Sequence, residues 1–168
     1  MLEERHPPEG LVIRTANDDD LEWVVRRHGE IYLVEKGWDE RFRALVAGIV
    51  DDYRRDADPG RERCLIADVE DRRVGCVLLA AGDEGASKLR ILLVEPDARG
   101  RGIGSQLVSE CLEFAQRAGY SKVTLWTDGG LLAARRLYER VGFRWLKDEE
   151  PHLLFGNVLS GQYWELDL

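Results

Sequence analysis

Hydrophobic positions recur along the chain with strand and helix periods, and these periods predict an ordered series of elements. The β-branched run Leu11–Thr15 predicts a first strand. Asn17 followed by three aspartates is typical of a helix start, and apolar residues at helical spacing extend this first helix to about Lys36. A second helix is predicted to begin near Asp39, because the apolar residues that follow it also fall on one stripe.

Strand patterns dominate the chain after the turn at Pro59 and Gly60. Residues 64–67 and 74–79 are apolar runs on either side of a polar segment, which is the pattern of an antiparallel hairpin. The remaining predicted elements are strands at residues 89–94 and 122–127, helices at residues 102–118 and 131–141, and closing strands at residues 143–146 and 163–166. This order predicts a mixed α/β fold on one sheet, with one domain over residues 11–168 and a flexible segment over residues 1–10.

Composition narrows the classes of protein to which this fold can belong. The chain has 168 residues, and 24 Lys and Arg against 32 Asp and Glu give a net charge of -8, which disfavours nucleic acid as a partner. It has neither an apolar run near the roughly 18 residues of a membrane span nor a signal-peptide core at its start, so we expect a cytoplasmic protein without a membrane partner. The three cysteines form no CxxC pair and the three histidines lack ligand spacing, so we expect buried reduced thiols and no metal.

The segment between residues 94 and 105 carries the most informative chemistry. Gly100, Gly102 and Gly104 alternate where a predicted strand passes into a predicted helix. Glycines let the backbone approach an anion, and free amides at a helix N-terminus solvate it, so this turn is either a phosphate cradle or a tight connection. The spacing lacks the last glycine of a dinucleotide fingerprint, and the chain has no Gly-Lys-Ser or Gly-Lys-Thr end of a P-loop.

Two motifs in the chain resemble those of the GNAT superfamily of N-acyltransferases. Arg99-x-x-Gly102-x-Gly104 is similar to the superfamily's coenzyme A signature, Gln/Arg-x-x-Gly-x-Gly/Ala, and residues 137–143 resemble its late Leu-Tyr-x-x-x-Gly-Phe motif. In finer detail, short segments near His28, Trp38 and Lys88 and the C-terminal residues look similar to acyltransferase domains that occur fused to MarR-type regulators. The resemblance implies a mixed, mostly antiparallel sheet with splayed central strands and about four flanking helices.

The same resemblance implies an N-acetyltransferase that uses acetyl-CoA. The acceptor would be a primary amine of a small molecule or a peptide, attacking directly in a ternary complex. In this family the strand before the glycine turn exposes backbone groups to the pantetheine, and the turn holds the pyrophosphate. On this chain, the residues that would bind the cofactor are Leu92, Leu93, Val94, Arg99, Gly100, Arg101, Gly102, Ile103, Gly104, Ser105 and Tyr138.

Acyl transfer also needs an acid near the leaving sulfur and a base for the acceptor ammonium. Tyr138 matches the family's tyrosine, whose phenol is placed to protonate the sulfur, although it also fits the apolar face of its helix. Many relatives carry Asn seven residues before this tyrosine, where the chain has Leu131, so one polar cofactor contact is in doubt. Glu95 is one candidate catalytic base, and the first helix supplies the other candidates.

His28, Tyr32 and Glu35 are separated by four and three residues and therefore project from one face of the first helix. Together with Trp38 they form the predicted acceptor-binding cluster. Each has an ordinary alternative, because His28 and Trp38 can be packed core residues and Glu35 can pair with an arginine.

A second hypothesis for the whole chain is a non-catalytic module that binds acyl-CoA as a sensor or an interaction partner. Retention of Tyr138 favours the enzyme instead. A homodimer is plausible by analogy with other proteins of this fold.

Overall fold

A computed structural model describes residues 6–168, so the first half of the predicted flexible segment, residues 1–5, lies outside the described residues. The helices within the described part are α1 (Asp18–Lys36), α2 (Glu40–Asp56), α3 (Ile103–Arg117) and α4 (Leu132–Val141). The strands there are β1 (Leu11–Thr15), β2 (Arg63–Val69), β3 (Arg72–Ala81), β4 (Ala86–Val94), β5 (Lys122–Asp128), β6 (Arg144–Asp148), β7 (His152–Leu154), β8 (Asn157–Leu159) and β9 (Gly161–Asp167).

Seven strands form one sheet in the order β1-β2-β3-β4-β5-β9-β6. Neighbouring strands are antiparallel except β4 and β5, which run parallel. That parallel pairing joins residues 86–89 to residues 122–125 and stops there, although both strands continue. The fold is therefore a mixed, mostly antiparallel sheet whose two central strands separate, as the family resemblance implies.

Both faces of the sheet are covered by helices, which explains the continuous apolar runs of β2 and β3. Cys64 and Ile66 pack with the buried residues of α1 and α2, whereas Leu65 and Ala67, which alternate with them, pack with those of α3. The three cysteines are buried and free, which confirms the expectation from their spacing. Within residues 6–168, none of the helices has the length and apolar character needed to cross a bilayer.

A buried ionic network fixes the start of α1 against the edge of the sheet. Asp20 is fully buried, where its carboxylate accepts from Arg14 and Arg73 and from the backbone amide of Asn17, which caps the helix. Burial opposes ionisation of this carboxyl, but these hydrogen bonds outweigh it and lower the Asp20 pKa to about 2. The network sets the position from which α1 runs across the sheet.

The hairpin formed by β7 and β8 is an addition to the predicted elements. Its two-residue turn, Phe155-Gly156, has positive φ at both positions, 54° and 79°, as a type I′ turn requires. The turn is held against the loop between α1 and α2, because Asp39 donates its amide to the Phe155 carbonyl and Asn157 donates its side-chain amide to the Gly37 carbonyl. This contact places the hairpin over the helix layer formed by α1 and α2.

Candidate active site

A cleft opens where β4 and β5 separate, and its walls come from α1, α2, β4, β5, α4, β9 and the β7–β8 hairpin. It has a volume of about 380 Å³. Glu95 donates its amide to Val74 in β3, so by the alternation of an antiparallel ladder the backbone groups of Leu92 and Val94 face the gap. Leu93 faces the other way and pairs with Cys76, so its backbone is not free for a cofactor, contrary to the prediction.

The glycine turn ends in the N-terminus of α3 and leaves backbone amides without partners. The first amide bonded within the helix is that of Gln106, which donates to the Gly102 carbonyl, so the amides of residues 103–105 have no such bond. Gly102 adopts a φ of 82°, and the first turn contains no acidic residue. A Cβ on Gly104 would lie 2.7 Å from a Leu137 methyl in α4. The turn therefore has the free donors and the positive helix end that a phosphate group needs.

Tyr138 lies on the buried face of α4 and reaches the wall of the cleft. Its ring packs edge-on against Phe143, with 5.7 Å between centroids, and at 6.3 Å from Trp164. Burial raises the pKa of Tyr138 well above its ordinary value, so the phenol keeps its proton at neutral pH. A protonated hydroxyl in this position is able to act as a hydrogen-bond donor and an acid.

Three of the four residues predicted to bind the acceptor, His28, Tyr32 and Trp38, line the cleft. His28 is buried, and its Nδ1 donates to the Val24 carbonyl at 2.7 Å. Burial lowers the His28 pKa to about 4, so the imidazole is neutral at pH 7. Its Nε2 has no hydrogen-bond partner among residues 6–168. Burial also raises the pKa of Tyr32 to about 12.

Comparison with known sequences identifies the family of this chain. The sequence model described as the acetyltransferase (GNAT) family matches residues 22–143, which is more than half of the chain. The chain belongs to the GNAT acetyltransferase family. It is thus an acyl-CoA-dependent N-acetyltransferase by class. The finer similarity to domains fused with MarR-type regulators stays a prediction.

Individual relatives agree with this class. A Schizosaccharomyces pombe protein described as an uncharacterized N-acetyltransferase is 31% identical over 135 residues, or 80% of this chain and 78% of that protein. The N-acetylaspartate synthetase of Xenopus tropicalis is 35% identical over 96 residues, which cover 56% of this chain but 35% of the synthetase. The chain therefore spans about a third of the length of that relative.

Solved structures share the fold over nearly the whole chain. A ribosomal-protein-alanine N-acetyltransferase from Brucella melitensis superposes with a TM-score of 0.77 at 22% identity, covering 94% of this chain and 99% of its own. A protein from Salmonella typhimurium, solved with its cofactor acetyl-CoA, superposes with a TM-score of 0.75 at 18% identity, covering 94% and 93% of the two chains. At these identities the superpositions establish the fold of this acetyltransferase.

The structure places two predicted site residues of this acetyltransferase outside the cleft. Glu95 is buried beneath α1, where both carboxylate oxygens accept from Arg27 at 2.6 and 2.7 Å, and it lines a separate ionic cavity near the start of that helix. Glu35 lies on the cradle side and accepts from the Arg99 guanidinium at 2.7 Å. Neither glutamate lines the cleft, and an arginine engages each carboxylate, so their predicted roles in proton transfer and acceptor binding stay predictions.

Three charged residues in the cleft have no role in the sequence-based site. Asp128 ends β5 and is 7% exposed, whereas Lys88 and Arg90 are exposed residues of β4. Within residues 6–168, no ion pair involves any of the three. Asp128 is the one acidic side chain among the described residues that line the cleft. Asp128 could be recognised as a site residue only from its place at the end of β5, beyond the residues that pair with β4. The sequence does not show where that pairing stops.

Aromatic rings form the wall of the cleft below the hairpin. Tyr32 stacks on Trp38 with 4.9 Å between centroids, and Phe42 packs against both at 4.7 and 4.9 Å. Phe155, at the tip of the hairpin, completes this aromatic cluster at 5.4 Å from Trp38 and 5.2 Å from Phe42. Leu131, which stands where relatives carry Asn, also lines the cleft, so its contribution there is apolar.

Proposed function

We propose that this enzyme transfers the acetyl group of acetyl-CoA to the primary amine of a small molecule or peptide, with both substrates bound in the cleft at once. The observation that carries the proposal is the unpaired edge of β4. This edge runs from the free amides of α3 to a cleft that contains a protonated tyrosine and an unpaired carboxylate.

The described residues fit acetyl-CoA at two points. The free amides of residues 103–105 would hold the pyrophosphate at the positive end of α3, and Arg99 and Arg101 of the preceding turn would add positive charge, with Arg99 also bonded to Glu35. The backbone groups of Leu92 and the amide of Val94 would bond the pantetheine amides in place of a strand partner, since the Val94 carbonyl already accepts from Arg99 Nε at 3.2 Å. When bound, acetyl-CoA supplies the activated acetyl thioester.

Residues of the cleft would protonate the leaving sulfur and bind the acceptor amine. Tyr138 supplies a proton from its phenol to the leaving sulfur, which its raised pKa permits by keeping the hydroxyl protonated. Asp128 would hold the acceptor ammonium and accept the proton that it loses before the neutral amine attacks the thioester carbonyl, because Asp128 is the one acidic side chain among the described lining residues. His28 stays neutral because burial lowers its pKa to about 4, so it adds no positive charge to the wall of the cleft.

The test compares Tyr138→Phe with the parent enzyme in acetyl-CoA binding and in thiol release with a panel of primary amines. We expect the variant to bind acetyl-CoA as the parent does and to lose about a hundredfold or more in kcat, because a positioned acid contributes roughly 10² to 10⁴. Tyr120→Phe is the matched control, since Tyr120 is also buried but donates to the Arg61 carbonyl outside the cleft.

Three results would contradict the proposal. Failure of the parent enzyme to bind acetyl-CoA would remove the cofactor. Binding without turnover of any amine would identify a sensor instead of an enzyme. Equal kcat in the parent and Tyr138→Phe would show that the phenol is not the acid.

A further inference from the structure

The charges in the cleft carry information about the acceptor. We infer that the acceptor is a small zwitterion, a primary amine that also bears a carboxylate and has an apolar side chain. The inference rests on the proposed function, because it concerns the acceptor end of the same cleft. Two basic residues that the proposed function does not use, together with Asp128 and the aromatic wall of the cleft, carry it.

The two basic residues present positive charge on one side of the cleft. Lys88 and Arg90 are both exposed on β4, and neither forms an ion pair within residues 6–168. Arg90 lies at an irregularity of the ladder, since Leu78 pairs with Ile91 while Leu79 pairs with Leu89. Such a bulge redirects a side chain out of the regular alternation. The strand is therefore built to present Arg90 to the cleft.

The acidic residue lies on the strand across the gap, offset from Arg90 along the strand direction by a length that a small ligand can span. Lys88 is level with Thr124 in the paired part of β4 and β5, so Arg90 lies two residues further along β4 and Asp128 four residues further along β5. The levels of Arg90 and Asp128 thus differ by two residues, or about 7 Å. A molecule placed between them can direct its carboxylate to the guanidinium and its ammonium to Asp128.

The aromatic cluster supplies the third contact. Tyr32, Trp38, Phe42 and Phe155 form a ring-lined wall beside these charges, with centroid separations of 4.7 to 5.4 Å. Phe155 keeps a φ of 54°, which is unfavourable for a bulky side chain, so the surrounding contacts hold this ring in the wall. An apolar side chain on the acceptor buries its surface against these rings.

The same charges discriminate against acceptors with a second positive group. A polyamine or a basic peptide would bring its other ammonium groups toward Lys88 and Arg90, with Asp128 as the one acidic side chain among the described lining residues. Like charges at this range oppose binding. A carboxylate in that position is attracted instead, which is why the zwitterion is the acceptor class that the cleft favours.

The test uses L-phenylalanine and 2-phenylethylamine, which share the amine and the ring and differ by the carboxylate, with spermidine as the polycation. Acetylation is measured as kcat/KM, and binding is measured by calorimetry in the presence of CoA, which cannot react. We expect the parent enzyme to prefer L-phenylalanine by at least about tenfold, because one charge-assisted hydrogen bond is worth at least that much. A Lys88→Gln, Arg90→Gln double variant should lose that preference in both measurements.

Arg117→Gln is the control, since Arg117 is an exposed residue at the end of α3, away from the cleft. It should keep the preference for L-phenylalanine. The inference is overturned if 2-phenylethylamine or spermidine is the better acceptor, or if the preference survives the double variant. Binding of acetyl-CoA without binding or acetylation of L-phenylalanine overturns this inference alone, whereas failure to bind acetyl-CoA overturns the proposed function.

Discussion

At the scale of single residues, His28 couples the cleft to pH. Its imidazole is buried and neutral because burial lowers its pKa to about 4, against about 6.5 in an unfolded chain. When folding lowers the pKa of a group, the group does not change the free energy of unfolding at pH values above its unfolded pKa. Between the unfolded and the folded pKa, the free energy of unfolding falls as the pH falls. The relevant window is therefore pH 6.5 down to 4, where the unfolded chain binds the proton more readily.

We expect the free energy of unfolding to fall by about 1.5 kcal/mol between pH 6.5 and pH 5 through this group. Urea unfolding at the two pH values measures it, and His28→Gln should show a smaller drop. His152→Gln is the control, because His152 is exposed in β7. An equal drop in the parent and in His28→Gln would contradict the assignment. Most carboxyl groups do not titrate between pH 6.5 and pH 5, because their ordinary pKa values are lower.

The two glutamates outside the cleft show why these side-chain roles could not be predicted from sequence. Helical spacing predicted that Glu35 and His28 share a face of α1, and motif position placed Glu95 just after β4. Their partners, Arg99 and Arg27, lie 64 and 68 residues away along the chain. Local periodicity carries no information about such pairs, so the ionic role of both residues appears only in the folded chain.

Glu95→Gln tests the distinction between a structural and a catalytic carboxylate. Removing the charge from this buried, doubly bonded group should destabilise the fold by about 1 to 3 kcal/mol, a range that reflects the partial exposure of Arg27. Acetyl transfer should keep its kcat and pH profile. Asp128→Asn is the comparison, with an expected loss of at least tenfold in kcat/KM for the acceptor. A Glu95→Gln enzyme with kcat reduced a hundredfold and normal stability would reverse the two assignments.

At the scale of elements, the cradle depends on how α3 begins. Gly102 has a φ of 82°, a conformation that an L side chain adopts with strain, and its carbonyl accepts the first helical hydrogen bond. Gly102→Ala should therefore lower the free energy of unfolding by about 1 to 2 kcal/mol. It should also weaken acetyl-CoA binding at least tenfold, since the free amides of residues 103–105 would no longer point together.

Calorimetric titration with acetyl-CoA and urea unfolding measure both effects. Gly48→Ala is the matched control, because Gly48 lies within α2 with no atoms near the added methyl group, and alanine there should stabilise the helix by up to about 1 kcal/mol. Unchanged acetyl-CoA affinity in Gly102→Ala would show that the cradle does not depend on this turn.

Helices and strands could be predicted where the hydrophobic pattern repeats over a long segment. The predicted helices agree with α1 to α4 within one or two residues, and the paired strands differ from the observed ones by up to three residues at an end. The β7–β8 hairpin was missed because its strands are three residues each, too short for a period to show. Leu153 and Val158 also face outward, so the pattern lacks the usual polar outer face.

At the scale of the whole molecule, the sequence predicted the sheet and the cradle but not the cleft. The family resemblance implies that the two central strands separate, but not that Asp128 of β5 meets Lys88 and Arg90 of β4 in the cleft between them. The cradle is contiguous in sequence, so a motif describes it, whereas the residues that line the cleft are spread from His28 to Tyr163.

Cofactor binding should stabilise the molecule as a unit. A ligand at about 100 times its dissociation constant adds about 2.7 kcal/mol to the free energy of unfolding. For a chain of this size we expect acetyl-CoA to raise Tm by about 5 to 10 °C in a thermal unfolding experiment. NAD is the control ligand because the turn lacks a dinucleotide fingerprint. An equal rise with NAD would show nonspecific nucleotide binding.

The β7–β8 hairpin adds no strand to the seven-stranded sheet, and its turn is tied to the α1–α2 loop by backbone and amide hydrogen bonds. The hairpin and the α1–α2 loop can therefore accumulate substitutions without altering the strand pairing that opens the cleft. In a lineage of duplicated genes, the choice of amine would diverge first at residues 37–42 and 152–159, while selection for the common acetyl donor preserved residues 92–105. A mutant library intended to change the acceptor would begin at the same two segments.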